Sequence, residues 1–386
     1  MNQLPIHTQI AVIGAGPVGV LTALQLHRQG KQVILLEARP PHAIIRDKRT
    51  LALSFNSVSA FRNSDVALPE NKTTPIRNVH ISQQDHFGRT LLRAEDMKTD
   101  ELGRTADYTL IMRECETALE VQQLPVFWNT SVAGVRTLNH FAEIDVVHNG
   151  QAQSLTADWV ILAEGGQLTR NLSGIAQHHY DYHQSALVAT LSFEQPSDGT
   201  AYERFADDGP FALLPYFNDF RLVWTRTPED AERLKQLPFE DFANEFHQAF
   251  GNRLGRLKSC GEAASFPLHL RQLNKVYSGR VICIGNAAQA MHPVAAQGLN
   301  LGVRDALTLA AKFAQPGSLR NQELARQYGE SRRLDAQTIV GFTHSLVTLF
   351  DHPNIFLQLG RSGVMSVIDG IPALRKKFTE QLIFGL

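Results

Sequence analysis

The sequence predicts an α/β protein in which a parallel-sheet domain is interleaved with an antiparallel-sheet domain and followed by C-terminal helices. Three observations carry this. The apolar, β-branched run TQIAVIGAG ends in glycines, passes into the helical pattern PVGVLTALQLHRQG and returns as a second apolar run, VILLEA, completing a βαβ unit. Far along the chain, ADWVILAEGG and GRVICIGNAAQ repeat the pattern of a buried strand closed by glycine, so the chain comes back to the same sheet. Between them, residues 185–227 alternate apolar and polar positions (ALVATLSFE, FALLPYF, FRLVWTRT), as strands with one covered face do.

Composition narrows the class. The chain has 386 residues, too many for one core, and 43% of them are hydrophobic, enough for well-packed interiors. A formal net charge of -1 provides no field that would gather nucleic acid. The three cysteines, Cys115, Cys260 and Cys283, lack metal-ligand spacing, so no metal site and reduced thiols in a cytoplasmic setting are expected. The N-terminus has no basic region or cleavage pattern and reads as a strand. The uncharged window Val281–Val303 is rejected as a membrane span because its Asn, Gln, His and Pro residues are costly in hydrocarbon.

Taken in order, Lys48–Arg62 is expected to pass from loop to helix. Residues 63–105 are turn-rich with alternating stretches, and residues 107–121 form a helix. PVFWNTSVAGVRTL, AEIDVVHNG and AQSLTADWVIL are strands closed by an Asn-Gly turn. The resulting division is residues 1–180 and 270–330 for the first domain, with an antiparallel insert around 63–105. Residues 181–269 form the second domain and 331–386 a helical region.

The first chemical motif is Gly14-Ala-Gly16-Pro17-Val-Gly19. Gly14 allows a tight turn, Gly16 lets backbone approach a diphosphate, and Gly19 permits close packing of helix on strand. The helix start offers N–H groups and a partial positive charge to that anion. Glu37, with Ala38 after it, ends the second strand at the distance expected for an acceptor of ribose hydroxyls. This Rossmann-like unit predicts NAD or FAD, not NADP, and does not choose between them. The second motif runs from Gly285-Asn286 through His292-Pro293 to Gly298-Leu299-Asn300, Gly302 and Asp305. It reads as a strand end, a proline-fixed turn and a helix whose first N–H groups suit an anionic cofactor edge.

GAGPVG, DKRTLALSFNSV, YERFADDGPFALLP with LVW, GNAAQAMHPVAAQGLNLGVRDA and YGESRRLD together resemble the group A flavoprotein monooxygenases, whose fold is that of p-hydroxybenzoate hydroxylase. Within that group the chain is most similar to the ubiquinone-biosynthesis hydroxylases, in particular the 2-polyprenyl-6-methoxyphenol hydroxylase branch, and the similarity spans nearly its whole length.

The resemblance implies FAD as cofactor, with Gly14, Gly16, Pro17, Gly19, Glu37 and Ala38 at its ADP half. Arg49 would lie near the flavin, Arg113 would begin a helix beside the cofactor, Asn286 would lie at the ribityl or diphosphate region, and Gly298, Leu299 and Asn300 at the pyrimidine edge. Pro293 would lie over the ring. His292 is a candidate base, with a turn-capping histidine as the alternative. Phe211, Leu214 and Pro215 would line an apolar substrate pocket, with core packing as the alternative.

The activity implied is hydroxylation of a polyprenylated phenol by O2 through a flavin hydroperoxide, with NAD(P)H or a protein electron donor as reductant. Contact with a ubiquinone-biosynthesis complex and with the inner membrane's periphery would follow. Two positions depart from the family pattern: Glu164 replaces an aspartate, and Ala296 replaces a glycine. A non-catalytic flavin-binding scaffold and a flavin dehydrogenase that does not activate oxygen remain the rival readings.

Overall fold

The chain is organised on two large sheets and a small one. The computed structural model describes residues 3–45, 47, 49–84, 89–206, 209–291 and 297–350, with 371, 376, 377, 379 and 380 near the C-terminus. It opens with β1 (His7–Ile13), α1 (Pro17–Arg28), β2 (Val33–Leu36), β3 (Thr50–Ser54) and α2 (Phe55–Arg62). Then follow β4 (Thr74–Ile76), β5 (Asn78–Gln83), β6 (Arg89–Arg93), β7 (Gly103–Asp107), α3 (Tyr108–Val121), β8 (Val126–Phe127), β9 (Thr130–Thr137), β10 (Ala142–His148) and β11 (Gln151–Leu162). The middle of the chain forms β12 (Gln177–Phe193), β13 (Thr200–Ala206), β14 (Gly209–Tyr216), β15 (Asp219–Arg226), α4 (Pro228–Gln236) and α5 (Phe239–Phe250). It closes with β16 (Leu257–Cys260), β17 (Ala264–Leu273), β18 (Tyr277–Ser278), β19 (Val281–Cys283), β20 (Gln289–Ala290), α6 (Gln297–Phe313) and α7 (Leu324–Phe350).

The first sheet runs β18-β19-β11-β1-β2-β8, with β10 and β9 added beside β11. β1 is parallel to both β11 and β2, and β11 is parallel to β19, so distant segments meet as their apolar runs require. Both faces are covered, which is why Ile10, Ala11 and Val12 are all fully buried. One face packs under α1, α3 and α6, through residues such as Leu21, Leu24, Ile111, Val303 and Phe313. The other packs against Val135, Ile144, Val146 and Leu155 of the β9–β11 extension. Asn149 and Gly150, at φ 49° and 81°, turn β10 back into β11 in the two-residue hairpin that an Asn-Gly pair favours.

The second sheet runs β20-β17-β12-β15-β14-β13-β5-β6 and is antiparallel except where β13 meets β5. Its covered face carries Leu187, Leu191, Phe211, Leu213, Phe220, Leu222 and Trp224. α5 presents Phe242, Phe246 and Phe250, spaced four apart on one side, onto that face. Ring pairs such as Phe211–Phe250, 5.6 Å between centroids, build an aromatic core in which each buried side chain contributes about 2–3 kcal/mol.

Two expectations change here. TLALS, read as loop entering a helix, is strand β3, paired antiparallel with β7. Its β-branched and apolar residues suit a ladder, and the helix waits for Ser54, whose Oγ accepts from Ser57 N as its cap. The 63–105 segment does contain antiparallel strands, but β5 and β6 extend the second sheet rather than forming an insert of the first.

On β5, His80 is 9% exposed, and Arg253 Nη1 lies 2.8 Å from its Nε2 and 3.0 Å from its Nδ1. Burial, and then the Arg253 charge, lower its pKa to about 4. An unfolded histidine takes up a proton near pH ~6.5, before the folded one does, so stability is lost as pH falls through this interval. Thermal melts are expected to show a loss on the order of 2–3 kcal/mol by pH ~4, and His80→Gln to flatten that slope. An unchanged slope in the variant would assign the effect to other groups.

Candidate functional site

The carboxyl ends of β1, β2, β11 and β19 lie along one edge of the first sheet, and the turns leaving them build the site. Gly14, at φ +101°, opens the β1–α1 turn. A Cβ there would sit 2.8 Å from Glu164 Cα and 2.9 Å from Ala163 O, so the turn lies directly on the end of β11. A Cβ on Gly19 would come within 2.0 Å of Gly14 O, which presses α1 onto the turn. Gly16 is different: nothing lies within 4 Å of its Cβ position. That open space faces the start of α1, where Pro17 fills the first turn and no side chain caps the helix. Glu37 is 8% exposed and accepts from Ala15 N at 2.6 Å and from Arg39 N and Nε at 2.9 and 3.0 Å. It therefore fixes the turn while retaining acceptor capacity for a ribose hydroxyl. Ala38 follows, exposed beside it.

The β11 turn is organised by Glu164, whose carboxylate accepts from Gly166 N, Gln167 N and Leu168 N at 3.1, 2.9 and 3.4 Å. The longer acid thus caps this turn. Arg271 of β17 donates to both Gly165 O and Asn286 O, tying the ends of β11 and β19 together. Asn286 itself is exposed.

Behind it, Asp305 of α6 accepts from Gly285 N at 2.9 Å, Gln289 Nε2 at 3.1 Å and Arg332 Nε at 2.8 Å. Arg332 also donates to Asp335, which accepts from Arg304 at 3.2 Å, and Arg304 reaches Gln297 at 3.5 Å. Burial opposes the Arg332 charge, but the Asp305 and Asp335 carboxylates more than offset it, and its pKa is raised. Residue pattern did not identify Arg271, Arg332 or Asp335 as supports. A lone arginine on a strand and charges within YGESRRLD resemble solvated residues until their partners are known.

The remaining expected site residues are placed as follows. Gly298 and Leu299 lie half-buried in the first turn of α6. Asn300 is buried, and its side chain clamps β3, accepting from Ser54 N at 2.9 Å and donating to Ala52 O at 3.0 Å. Arg49 is paired with Asp47, Nη2 to Oδ2 at 2.6 Å, at the exposed start of β3. Arg113 does not begin a helix. It lies in the second turn of α3, exposed and paired with Glu114 at 3.1 Å.

The three residues expected to line a pocket do not share a face. Phe211 points into the aromatic core under α5, whereas Leu214 packs on the opposite face with Ile76 and Ala201. Strand alternation requires this of positions three apart. Pro215 O accepts from Thr105 Oγ1 at 2.6 Å. His292, Pro293 and Ala296 lie outside the described residues.

Open space at Gly16, an uncapped helix start and a buried carboxylate at the next strand end are features a dinucleotide site has, and two-sheet architecture surrounds them. The chain belongs to the FAD-binding domain family, whose model matches residues 7–343. It is 29% identical to an uncharacterized protein of Synechocystis, over 98% of this chain and 93% of that one. It is 27% identical to the ubiquinone hydroxylase UbiL of Rhodospirillum rubrum (96% and 88% covered). It is also 27% identical to the 3-demethoxyubiquinol 3-hydroxylase of Escherichia coli (84% and 82% covered). In fold it is similar to p-nitrophenol 4-monooxygenase PnpA of Pseudomonas putida, with a TM-score of 0.76, 16% identity and 98% and 99% of the two chains covered. The cradle fits FAD, which is the cofactor. Among the described residues, no helix is long and apolar enough to cross a membrane.

Gly16→Ala adds a methyl into open space, so the apoprotein's stability is expected to change by no more than about 1 kcal/mol while FAD affinity falls about tenfold or more. Gly19→Ala is expected to lose both. Calorimetry of apoprotein alongside FAD titration separates the two. Asp305→Ala removes one of the two carboxylates paired with the buried Arg332 and is expected to destabilise by about 3–5 kcal/mol in denaturant unfolding. A loss under ~1 kcal/mol would show the network to be dispensable.

Proposed function

We propose that the protein is an FAD-dependent monooxygenase that hydroxylates the aromatic ring of a polyprenylated phenol in ubiquinone biosynthesis. The observation that carries the reading is the pairing of an FAD cradle with a second sheet whose face opposite the aromatic core stays half-buried and partly apolar. The ubiquinone hydroxylases named among its relatives support the substrate class, since they match this chain across most of its length.

FAD supplies the redox and oxygen-activating chemistry when bound. The chain's own contributions are positional and electrostatic. Gly16 and the α1 start receive the diphosphate, Glu37 accepts from the adenosine ribose, and Gly298, Leu299 and Asn300 direct the first N–H groups of α6 towards the pyrimidine edge. Arg271 and Glu164 keep the neighbouring turns rigid, so that little reorganisation is needed when the ring and phenol are brought together. Pro293 and His292, which precede α6 in the sequence and lie outside the described residues, belong to the same proposal. NAD(P)H or a protein donor delivers the electrons. A polyprenyl tail calls for an apolar approach, and contact with the inner membrane's periphery or a biosynthetic complex would provide it.

The purified protein is expected to show flavin absorbance that bleaches anaerobically with NADH or NADPH in the presence of a short-tailed methoxyphenol. Admitting oxygen should then give a ring-hydroxylated product. Bleaching followed by reoxidation with no product would favour the dehydrogenase reading. A colourless protein that does not reconstitute with FAD would refute the assignment altogether.

A further inference from the structure

At the edge of the first sheet, a cleft of about 320 Å³ lies between the second half of α3 and β8, the end strand of the row. Leu119, Leu124 and Val126 give it an apolar lining and Trp128 an indole, while Glu116 and Glu120 bring two carboxylates. None of the residues lining it belongs to the cofactor cradle. The two acids stand four apart on α3 and therefore share one face, where like charges repel.

Glu116 is only 8% exposed, and among the described residues its Oε1 is buried with no hydrogen-bond partner. A carboxylate leaves water at low cost only where donors or a cation meet its oxygens. The one basic group among the described residues that approaches either acid is His42, from the loop after β2. Its Nδ1 lies 3.6 Å from Glu116 Oε2 and its Nε2 lies 3.4 Å from Glu120 Oε1, too far for a strong hydrogen bond. The His42 side chain is 72% exposed, so it can swing aside without disturbing the core. An apolar cleft thus holds two acids and an unmet buried oxygen, with a displaceable imidazole as their counter-ion.

We propose that this cleft binds a guanidinium or primary ammonium group carried on an apolar stem, with the cation between Glu116 and Glu120 and the stem against Trp128 and the two leucines. A guanidinium meets carboxylates through charge-assisted hydrogen bonds, an indole adds cation–π attraction, and an alkyl stem suits the apolar lining. The cation supplies the donor that Glu116 Oε1 lacks. The same chemistry arrives on a free amine or on the side chain of another polypeptide. The site stands independently of the phenol hydroxylase reading.

The test titrates FAD-loaded protein with agmatine and, separately, with N-acetyl-arginine methylamide, using calorimetry and tryptophan emission. Of the three tryptophans, Trp159 and Trp224 are fully buried, which leaves Trp128 as the one that a ligand in solution reaches. At least one probe is expected to bind with a Kd below ~1 mM, and N-acetyl-citrulline methylamide, its neutral counterpart, at least about tenfold more weakly. Glu116→Gln and Glu120→Gln should each weaken binding about tenfold. His42→Asn, which keeps a residue suited to φ 54° and removes the competing imidazole, should tighten it. Glu116→Gln should be no less stable than wild type in denaturant unfolding, because an amide costs less to bury than an unmet carboxylate.

Binding of agmatine alone identifies a free amine as the ligand, and binding of the capped arginine alone identifies a polypeptide side chain. Failure of both probes to bind overturns the site. Equal affinity for the citrulline derivative, or an affinity unchanged by both glutamine variants, overturns it as well. Loss of flavin absorbance from the Glu116 and Glu120 variants also overturns it, because the acids would then serve the cofactor. Should Glu116→Gln not fold, the exposed positions Glu120 and His42 still decide the question.

Discussion

At Gly19 a single methyl group would collide with the Gly14 carbonyl oxygen, and much of the molecule follows from the contact that this lets form. Because α1 can lie directly on the β1 turn, its uncapped start is held at the sheet edge rather than lifted away from it. The same closeness recurs one layer further on. Val18, one residue before, touches the positions where Gly285 and Gly302 would carry side chains, with Gly302's Cβ position only 2.6 Å from Val18 Cγ2. Two helix starts are thereby drawn to one edge through a chain of residues that cannot be larger. Shape, more than any hydrogen bond, sets the spacing across which a cofactor is received.

Charge finishes what shape begins. Asp305 gathers the Gly285 turn, Gln289 and Arg332 about one buried carboxylate. Such buried pairs contribute little to net stability compared with well-packed apolar residues, since desolvation consumes most of the attraction. What they provide here is connection: α7 bears on the turn after β19 and, through Arg304, on Gln297 at the head of α6. A helix late in the chain thus supports a site whose opening parts come from the first forty residues.

Most of the parallel domain was legible because its signals are local. GAGPVG sits between an apolar run and an amphipathic helix, and the structure sets Gly14 in a tight turn and Gly19 in close helix packing as the spacing leads one to expect, with open space at Gly16. The Glu37 position was readable for the same reason. What depended on distant pairing was not. TLALS is short, and only its partner β7 makes it a strand. The face to which Phe211 points is set by register with Trp224 and by α5 lying above, neither of which its own sequence neighbourhood contains. Glu116 reads as one more charged residue on a helix until His42, from the loop after β2, is brought beside it.

One passage from the first sheet to the second is made of paired strands. β12 is a single strand of 17 residues, its first residue hydrogen-bonded to the Glu164 turn through Gln177 and its far end deep in the second sheet. β17 returns antiparallel along it. The two bodies are therefore joined by a double-stranded ribbon, in addition to the chain passages before β5 and after β6. Bending such a ribbon strains its whole ladder, except at the irregularity between Asp181 and Gln184, where His183 adopts φ +53°. Along the ribbon, twist is easiest at that irregularity, and elsewhere bending works against a paired ladder, so displacement there meets an elastic restoring force.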